Sequence, residues 1–224
     1  MRNSGHIDLQ MNKKINILTV LAVWLLFLPI VKKAGAEEAT YKEHEIKAAY
    51  IFKFVNFIDG WRFQQESGED KEKDAGKERS IIIGVIGRNP FRGAFVPYKD
   101  KQVKNRKIIV KYYKGYSELN SNDEKVTIHP RIKQIKQCDL LFICSSEKDY
   151  IDNILDPIRH ERILTISEIP GFLESGGIIN FVMERDMVRF EINTAGVNRA
   201  KLQIRSKMLR LAKRIITKDD IDEE

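Results

Sequence analysis

A chain of 224 residues, 42% hydrophobic and 32% charged, is long enough for one well-formed core and has the composition of an ordinary globular protein. Its formal charge of +7 falls to +3 once residues 1–36, with five basic residues and one acidic residue, are set aside. A balance so near neutral leaves no electrostatic footprint for nucleic acid, and four histidines with none at ligand spacing to the two cysteines argue against a metal site.

The chain opens with Lys13 and Lys14 ahead of an apolar run from Ile15 to Val31, followed by the small residues Ala34-Gly35-Ala36. The run is short for a spanning helix, and the small-x-small pattern predicts an export signal cleaved after Ala36. Lys32 and Lys33 put positive charge between the run and the cleavage site, which is unusual and keeps an uncleaved N-terminal anchor as the alternative. Either way residues 37–224 are expected outside the inner membrane, and any contact with the membrane is made through the signal or anchor.

Ile46, Ala49, Tyr50, Phe54, Phe57, Ile58 and Trp61 recur at intervals of three and four, which predicts an amphipathic helix from Glu43 to Trp61. Residues Gln64 to Arg79 are charged and punctuated by glycine, as in a solvated loop. Ser80 to Gly87 reads as a buried strand, and Asn89-Pro90 as the start of a short helix reaching Tyr98. Lys107 to Tyr113 and Leu140 to Cys144 read as further strands. Ser146 to Arg159 is a helix loosened at Pro157, and Arg162 to Ile166 a fourth strand. This alternation predicts an α/β fold: a single-domain mixed, partly parallel sheet flanked by helices, closed by a C-terminal antiparallel hairpin and a terminal helix.

Cys138 and Cys144 flank one strand. Six residues at ~3.3 Å each separate their Cα atoms by roughly 20 Å, whereas a disulfide needs them within about 7 Å. Two thiols or an intermolecular bond are expected instead.

The hairpin is expected from Gly177–Glu184 and Met187–Asn193, turning at Arg185-Asp186. That turn sets Met183 against Val188, Phe181 against Phe190 and Ile179 against Ile192 on an apolar face. Asn180 against Glu191 and Val182 against Arg189 form the other face, so the register is fixed. Asn193 reads as the cap of a helix continuing through Ile215, with Lys207, Arg210, Lys213, Arg214 and Lys218 on a basic face. That face is a solvated surface or a membrane- or partner-docking one.

Little chemistry is assembled. Gly84 and Gly87 in GVIGRNPF lack the third glycine of a dinucleotide fingerprint and any Gly-Lys-Ser/Thr. Ser145-Ser146 have no glycine elbow, and Ser146 reads as a helix cap. His44, His129 and His160 have no evident partners. Arg189, Glu191 and Asn193 share a strand face with Asn180 opposite Glu191, an arrangement that anchors a covering segment more often than it performs acid-base work. Gly171 lies in a turn with Phe172 tucked inward, and Gly176-Gly177 supply positive φ where the chain enters the hairpin. No catalytic residue, metal or cofactor is expected.

The stretch LTISEIPGFLESGGIINFVMERDMVRFEIN, the ending AKLQIRSKMLRLAK and the opening EIKAAYIFKFVNFI, together with IIIGVIGRNPF and CDLLFI followed by SSE, resemble the YfiR family of exported bacterial proteins. The resemblance implies a signal or anchor over residues 1–36, a YfiR-like α/β domain over 37–218 and an acidic tail over 219–224. It also implies regulation without catalysis. The best-described members are periplasmic repressors that bind the outward-facing domain of a membrane-anchored diguanylate cyclase, holding cyclic-di-GMP and biofilm formation low; other members resemble servants of other sensors, histidine kinases included. The partner implied is therefore the periplasmic domain of a membrane sensor, with Phe172, Arg189, Glu191 and Asn193 as candidate contacts. Gly171, Gly176, Gly177 and Asn180 are the structural motif, and a homodimer is allowed. Described members carry disulfides with a redox role, which these two cysteines do not reproduce. The competing class is a periplasmic solute-binding or sensing module that feeds a histidine kinase or transporter, its pocket near the polar hairpin face.

Overall fold

The computed structural model describes residues 40–61, 80–99, 101–121, 125–217 and 220. The expected export segment, the charged 64–79 loop and all of the acidic tail but Asp220 lie outside the described residues. The chain divides into residues 1–42 and a unit of 43–224, and the fold is that of the second unit.

Helix α1 runs over residues 40–57 and is followed by a two-residue strand, β1 (Ile58–Asp59). The helix therefore stops four residues short of Trp61. Its buried stripe is Ala48, Ile51, Phe54 and Val55, continued by Ile58 of β1, with Lys47 also buried and Ile46 exposed. The stripe is thus rotated from the expected one, which counted Ile46 and Ala49. Gly60, in the left-handed region at φ +82°, turns the chain so that Trp61 enters the same core and donates Nε1–H to the Ile58 carbonyl at 2.6 Å.

The main sheet is built from β2 (Ile81–Ile86), β3 (Gln102–Val103), β4 (Arg106–Tyr113), β5 (Leu140–Ile143), β6 (Leu164–Ser167), β7 (Ile179–Glu184), β8 (Met187–Asn193) and β10 (Arg214–Ile216). Among the described residues its order is β10-β8-β7-β6-β5-β2-β4-β3. β4, β2, β5, β6 and β7 are parallel in succession, β8 returns antiparallel to β7, and β10 lies parallel to β8 at the edge. A small second sheet pairs β1 with β9 (Gln203–Ile204) antiparallel. The mixed, partly parallel α/β architecture is the expected one.

The hairpin has the expected register pair for pair, from Ile179 with Ile192 to Glu184 with Met187. Arg185 and Asp186 both take positive φ, 48° and 60°, the backbone of a two-residue turn whose twist suits the strands it joins. The apolar face frays at the tip, where Met183 is about half exposed.

Side chains alternate through the central strands and create two cores. Leu140, Phe142 and Cys144 belong to the core beneath α1, whereas Leu141 and Ile143 belong to the opposite one with Cys138, Ile154, Leu155 and Phe172. The second core is covered by α2 (Tyr116–Leu119), α3 (Ile132–Ile135) and α4 (Ile151–Leu155). Both cysteines are buried thiols on opposite sides of the sheet, so no bond can join them within the chain. Cys138 Sγ contacts Tyr113 Oη at 3.6 Å.

Three expectations are corrected. After Asn89, whose Oδ1 accepts the Phe91 N–H at 2.9 Å, the chain makes turns and a 3-10 segment, Val96–Tyr98, rather than a helix. The predicted Ser146–Arg159 helix is 3-10 over Ser145–Tyr150, α4 in the middle and 3-10 again over Asp156–Ile158 at Pro157. The terminal helix is broken into α5 (Thr194–Arg199), β9, α6 (Ser206–Leu209) and β10. Lys201 at φ 53° ends α5, and Arg214–Ile216 gain more by completing the sheet beside β8 than by extending a short helix. The basic face disperses with it. Arg214 pairs with Glu174 and Glu191, Lys213 with Glu184, and Lys207 lies over the Phe57 ring.

Candidate functional site

Open parallel sheets bind ligands outside the carboxyl ends of their strands, and β2, β4 and β5 end side by side, with Ile86 opposite both Tyr113 and Ile143. That crevice is filled from within by Glu147, which is fully buried. Its carboxylate accepts the Ser117 N–H at 3.1 Å, the Ser117 Oγ–H at 2.6 Å and the Ser146 Oγ–H at 2.7 Å, and the Arg88 N–H in turn donates to Ser146 Oγ at 3.0 Å. Ser146 is therefore a link in this network and not a helix cap. Gly87 and Gly115 make room for it: a Cβ on Gly87 would stand 2.8 Å from Glu147 Cγ, and one on Gly115 would stand 2.0 Å from its Oε1. The glycine of GVIGRNPF thus serves a built-in carboxylate where other sheets of this type hold an anionic ligand.

A second region at the carboxyl ends, beside β6 and the hairpin, is open. It is a cleft of about 820 Å3 whose lining includes Glu43, Lys47, Glu168, Asn180, Glu191 and Arg214. Lys47 is buried at 3% exposure, and its Nζ pairs with both Glu43 and Glu168. Arg214 on β10 donates from Nη2 to Glu191 and to Glu174, each at 3.0 Å. The Glu191 hydrogen bond, and then Glu174, hold the guanidinium pKa above its ordinary value. Glu191 therefore anchors a covering segment, the edge strand β10, as its strand-face position suggested.

Of the candidate contacts, only Glu191 reaches this cleft. Arg189 lies half-buried 3.9 Å from Glu184 near the hairpin tip. Phe172 is fully buried in the second core, packed on Gly177 where a Cβ would come within 2.2 Å of its ring; it is a core plug and not an exposed anchor. Asn193, also fully buried, caps α5 by accepting the Gly196 N–H at 2.9 Å, and its Nδ2 donates to the Leu173 carbonyl at 2.9 Å. The two glycines divide their roles. Gly176 takes φ +96°, whereas Gly177 is required by the ring beside it and not by positive φ, a correction to the expected pair. Gly171, at φ +78°, lines the cleft, as does Asn180, opposite Glu191.

Glu43, Lys47, Glu168 and Glu174 escaped the sequence reading, and Arg214 was read only as part of a basic helix face, because they come from three distant segments: α1, the loop after β6 and β10. One signal was available: Lys47 occupies a buried helix position beside Ala48 and Ile51, where a lysine needs acidic partners. His44, His129 and His160 do not converge. Among the described residues no group of His, Cys, Asp and Glu could hold a metal ion, and no helix is long and apolar enough to cross a membrane.

The mixed sheet, the internally plugged strand ends and the neighbouring open cleft define an α/β domain. The chain belongs to the YfiR/HmsC-like family, whose model matches residues 44–213. No curated protein matches the chain. Among solved structures it is similar to a conserved domain protein from Vibrio cholerae O1 biovar El Tor str. N16961, at 9% identity and TM-score 0.42 over 70% of this chain and 61% of that one. It is also similar to an ABC domain in complex with L-Trp from Streptococcus pneumonia, at 10% identity and TM-score 0.44 over 61% and 55%. The chain thus spans about three fifths of the length of these structures, and likenesses so distant carry no argument about function. Family membership supports a periplasmic regulatory role in general terms.

Proposed function

We propose that this protein is an exported, non-catalytic regulator that binds the periplasmic domain of a membrane-anchored sensor, most naturally a diguanylate cyclase, and holds its output low. The observation that carries this reading is membership of the YfiR/HmsC-like family across residues 44–213. The burial of Glu147 in the strand-end crevice is consistent with it, since the place where a sheet of this type presents a nucleotide site is already filled. Residues 1–36 act as the export signal or anchor and residues 37–218 as the regulatory domain; Arg189 remains a surface candidate for partner contact, whereas Glu191 is buried against Arg214 at the cleft wall.

The test is capture. The exported protein, immobilised, is expected to retain the periplasmic domain of the membrane sensor encoded beside its gene, and to retain it after a high-detergent wash of solubilised envelopes. Failure to retain any membrane sensor would sink the regulator reading. The alternative, solute sensing, is favoured by one feature, the open cleft beside the hairpin.

A further inference from the structure

Strand β4 is covered along only part of its outer side. The Gly87 N–H donates to the Tyr113 carbonyl at 3.1 Å, so Tyr113, and with it Lys111 and Ile109, turn their main-chain groups towards β2. Those of the alternate residues Ile108, Val110 and Tyr112 point the other way. On that side β3 pairs with Arg106 and Lys107 alone, and among the described residues no further strand or main-chain hydrogen bond covers the rest. Ile108, Val110 and Tyr112 therefore each present an N–H and a C=O along an open sheet edge, which is a template for another extended chain.

Beside this edge lies a groove of about 430 Å3, walled by Ile108, Val110 and Tyr112 of β4 and by Phe95, Val96 and Tyr98 of the 3-10 turn. Val96 and Tyr112 are 70% and 52% exposed, so apolar surface is offered where the side chains of an added strand would fall. The charges at the site have one sign. Lys99 and Lys107 line the groove and Lys111 lies on β4; none of the three has an acidic partner among the described residues, whereas Lys114, just beyond the strand, is held by Glu118 at 2.9 Å. A second copy of the chain fits poorly here, because β4 laid antiparallel on itself doubles Lys107 and Lys111 in one ribbon, and edge lysines act against such self-pairing. An acidic strand meets the same lysines favourably.

We infer that the open edge of β4 is a docking site for an extended segment of the sensor's periplasmic domain, one that alternates apolar residues with Asp or Glu. The segment adds a strand in line with β3, takes the main-chain bonds of Ile108, Val110 and Tyr112, and sets its apolar side chains in the groove between Val96 and Tyr112. In this mode of recognition the main chain supplies affinity and the alternate side chains supply specificity. The identity of the partner rests on the regulator reading; the site and the chemistry it selects go beyond it.

The experiment compares the exported protein with two variants for binding of the adjacent sensor's periplasmic domain and of a short capped peptide alternating valine with glutamate. Val110→Pro deletes the central outward N–H and spares the ladder to β2, a position where an edge strand tolerates proline. The double variant Lys99→Glu with Lys107→Glu, at two exposed positions, reverses the charge and keeps the inference testable if the proline variant misfolds. Each variant is expected to weaken both ligands at least about tenfold. The parent is expected to bind the peptide saturably, but neither its alternately N-methylated form nor its lysine-for-glutamate form. Hydrogen exchange at the Ile108, Val110 and Tyr112 amides should be fast in the free protein and slowed by the sensor domain. Undiminished sensor capture by both folded variants, unprotected amides in the complex, or equal binding of the N-methylated peptide would overturn the inference and leave the regulator reading intact. So would a concentration-dependent dimer that Val110→Pro abolishes with capture untouched, which would assign the edge to a second copy. No capture of the sensor domain by the parent counts against the regulator reading, and peptide binding lost in Val110→Pro then still upholds the strand-docking edge.

Discussion

Replacing Phe172 with alanine should lower stability by about 3–5 kcal/mol, the cost of emptying a fully buried aromatic position. Its neighbour offers a sharper test. A Cβ on Gly177 would stand 2.2 Å from Phe172 Cε1 and 2.4 Å from its Cδ1 and Cζ, far inside van der Waals contact, so Gly177→Ala must push the ring off its seat at a cost of ~1–3 kcal/mol or more. The two costs cannot add. In the double variant the new methyl group meets no ring and occupies part of the vacated volume, so its destabilisation should fall below the sum of the single effects by at least about 1 kcal/mol. Urea unfolding followed by circular dichroism, with the slopes held common, measures all four corners of the cycle. Additive effects would refute the claim that Gly177 exists to seat Phe172. An unchanged midpoint for Phe172→Ala, with sensor capture lost, would instead make Phe172 a surface anchor after all.

Glu147→Ala should cost about 3 kcal/mol or more by leaving the Ser117 and Ser146 donors unmet in a buried crevice, and added acetate should recover part of the loss in a thermal melt; an unaltered melting temperature would contradict the network. Cys138 and Cys144 should react with a thiol reagent only at the rate of unfolding, since both are buried; fast reaction of either in the native protein would contradict its placement. Burial, then the Glu168 and Glu147 carboxylates, push the Cys144 pKa up, so its contribution to stability is complete below the ordinary thiol value of 9.0 and is lost as pH rises above it, where only the unfolded chain ionises. Denaturant titrations from pH 8 upward should show Cys144→Ala falling less steeply than the parent by up to about 1.4 kcal/mol per pH unit, and identical slopes would contradict the shift. Arg214→Ala should cost ~1–3 kcal/mol by stranding the nearly buried Glu191, and should speed amide exchange over β10; unchanged exchange there would contradict its role as the anchor of that strand.

Where local pattern and burial coincide, the fold was legible. The hairpin register follows from strict alternation through Ile179, Phe181 and Met183 and a turn at Arg185-Asp186, and each pairing is found as read. The cap at Asn193 was legible because its partner, the Gly196 N–H, lies three residues away. The terminal helix misled because Met208, Leu211, Ala212 and Ile215 keep helical spacing while β8 offers Arg214–Ile216 an open sheet edge, and tertiary pairing outweighs the propensity of a few residues. The rotation of α1 was hidden for a related reason: Lys47 occupies an inward position only because Glu168, far along the chain, meets it there. The cleft shares that character, since the hairpin supplies one wall while the rest comes from α1, the loop after β6 and β10, far apart in the chain. Glu147, buried within SSEKDY, carries no local mark of the crevice it fills.

The regulator reading turns most directly on intracellular cyclic-di-GMP in a strain deleted for this gene whose adjacent membrane sensor is a cyclase, complemented with either an exported or a leaderless form of the protein. Deletion is expected to raise the second messenger, with the exported form alone restoring the parental level. An unchanged level on deletion, or equal restoration by the leaderless form, would contradict the proposal that this protein acts from outside the inner membrane on that sensor.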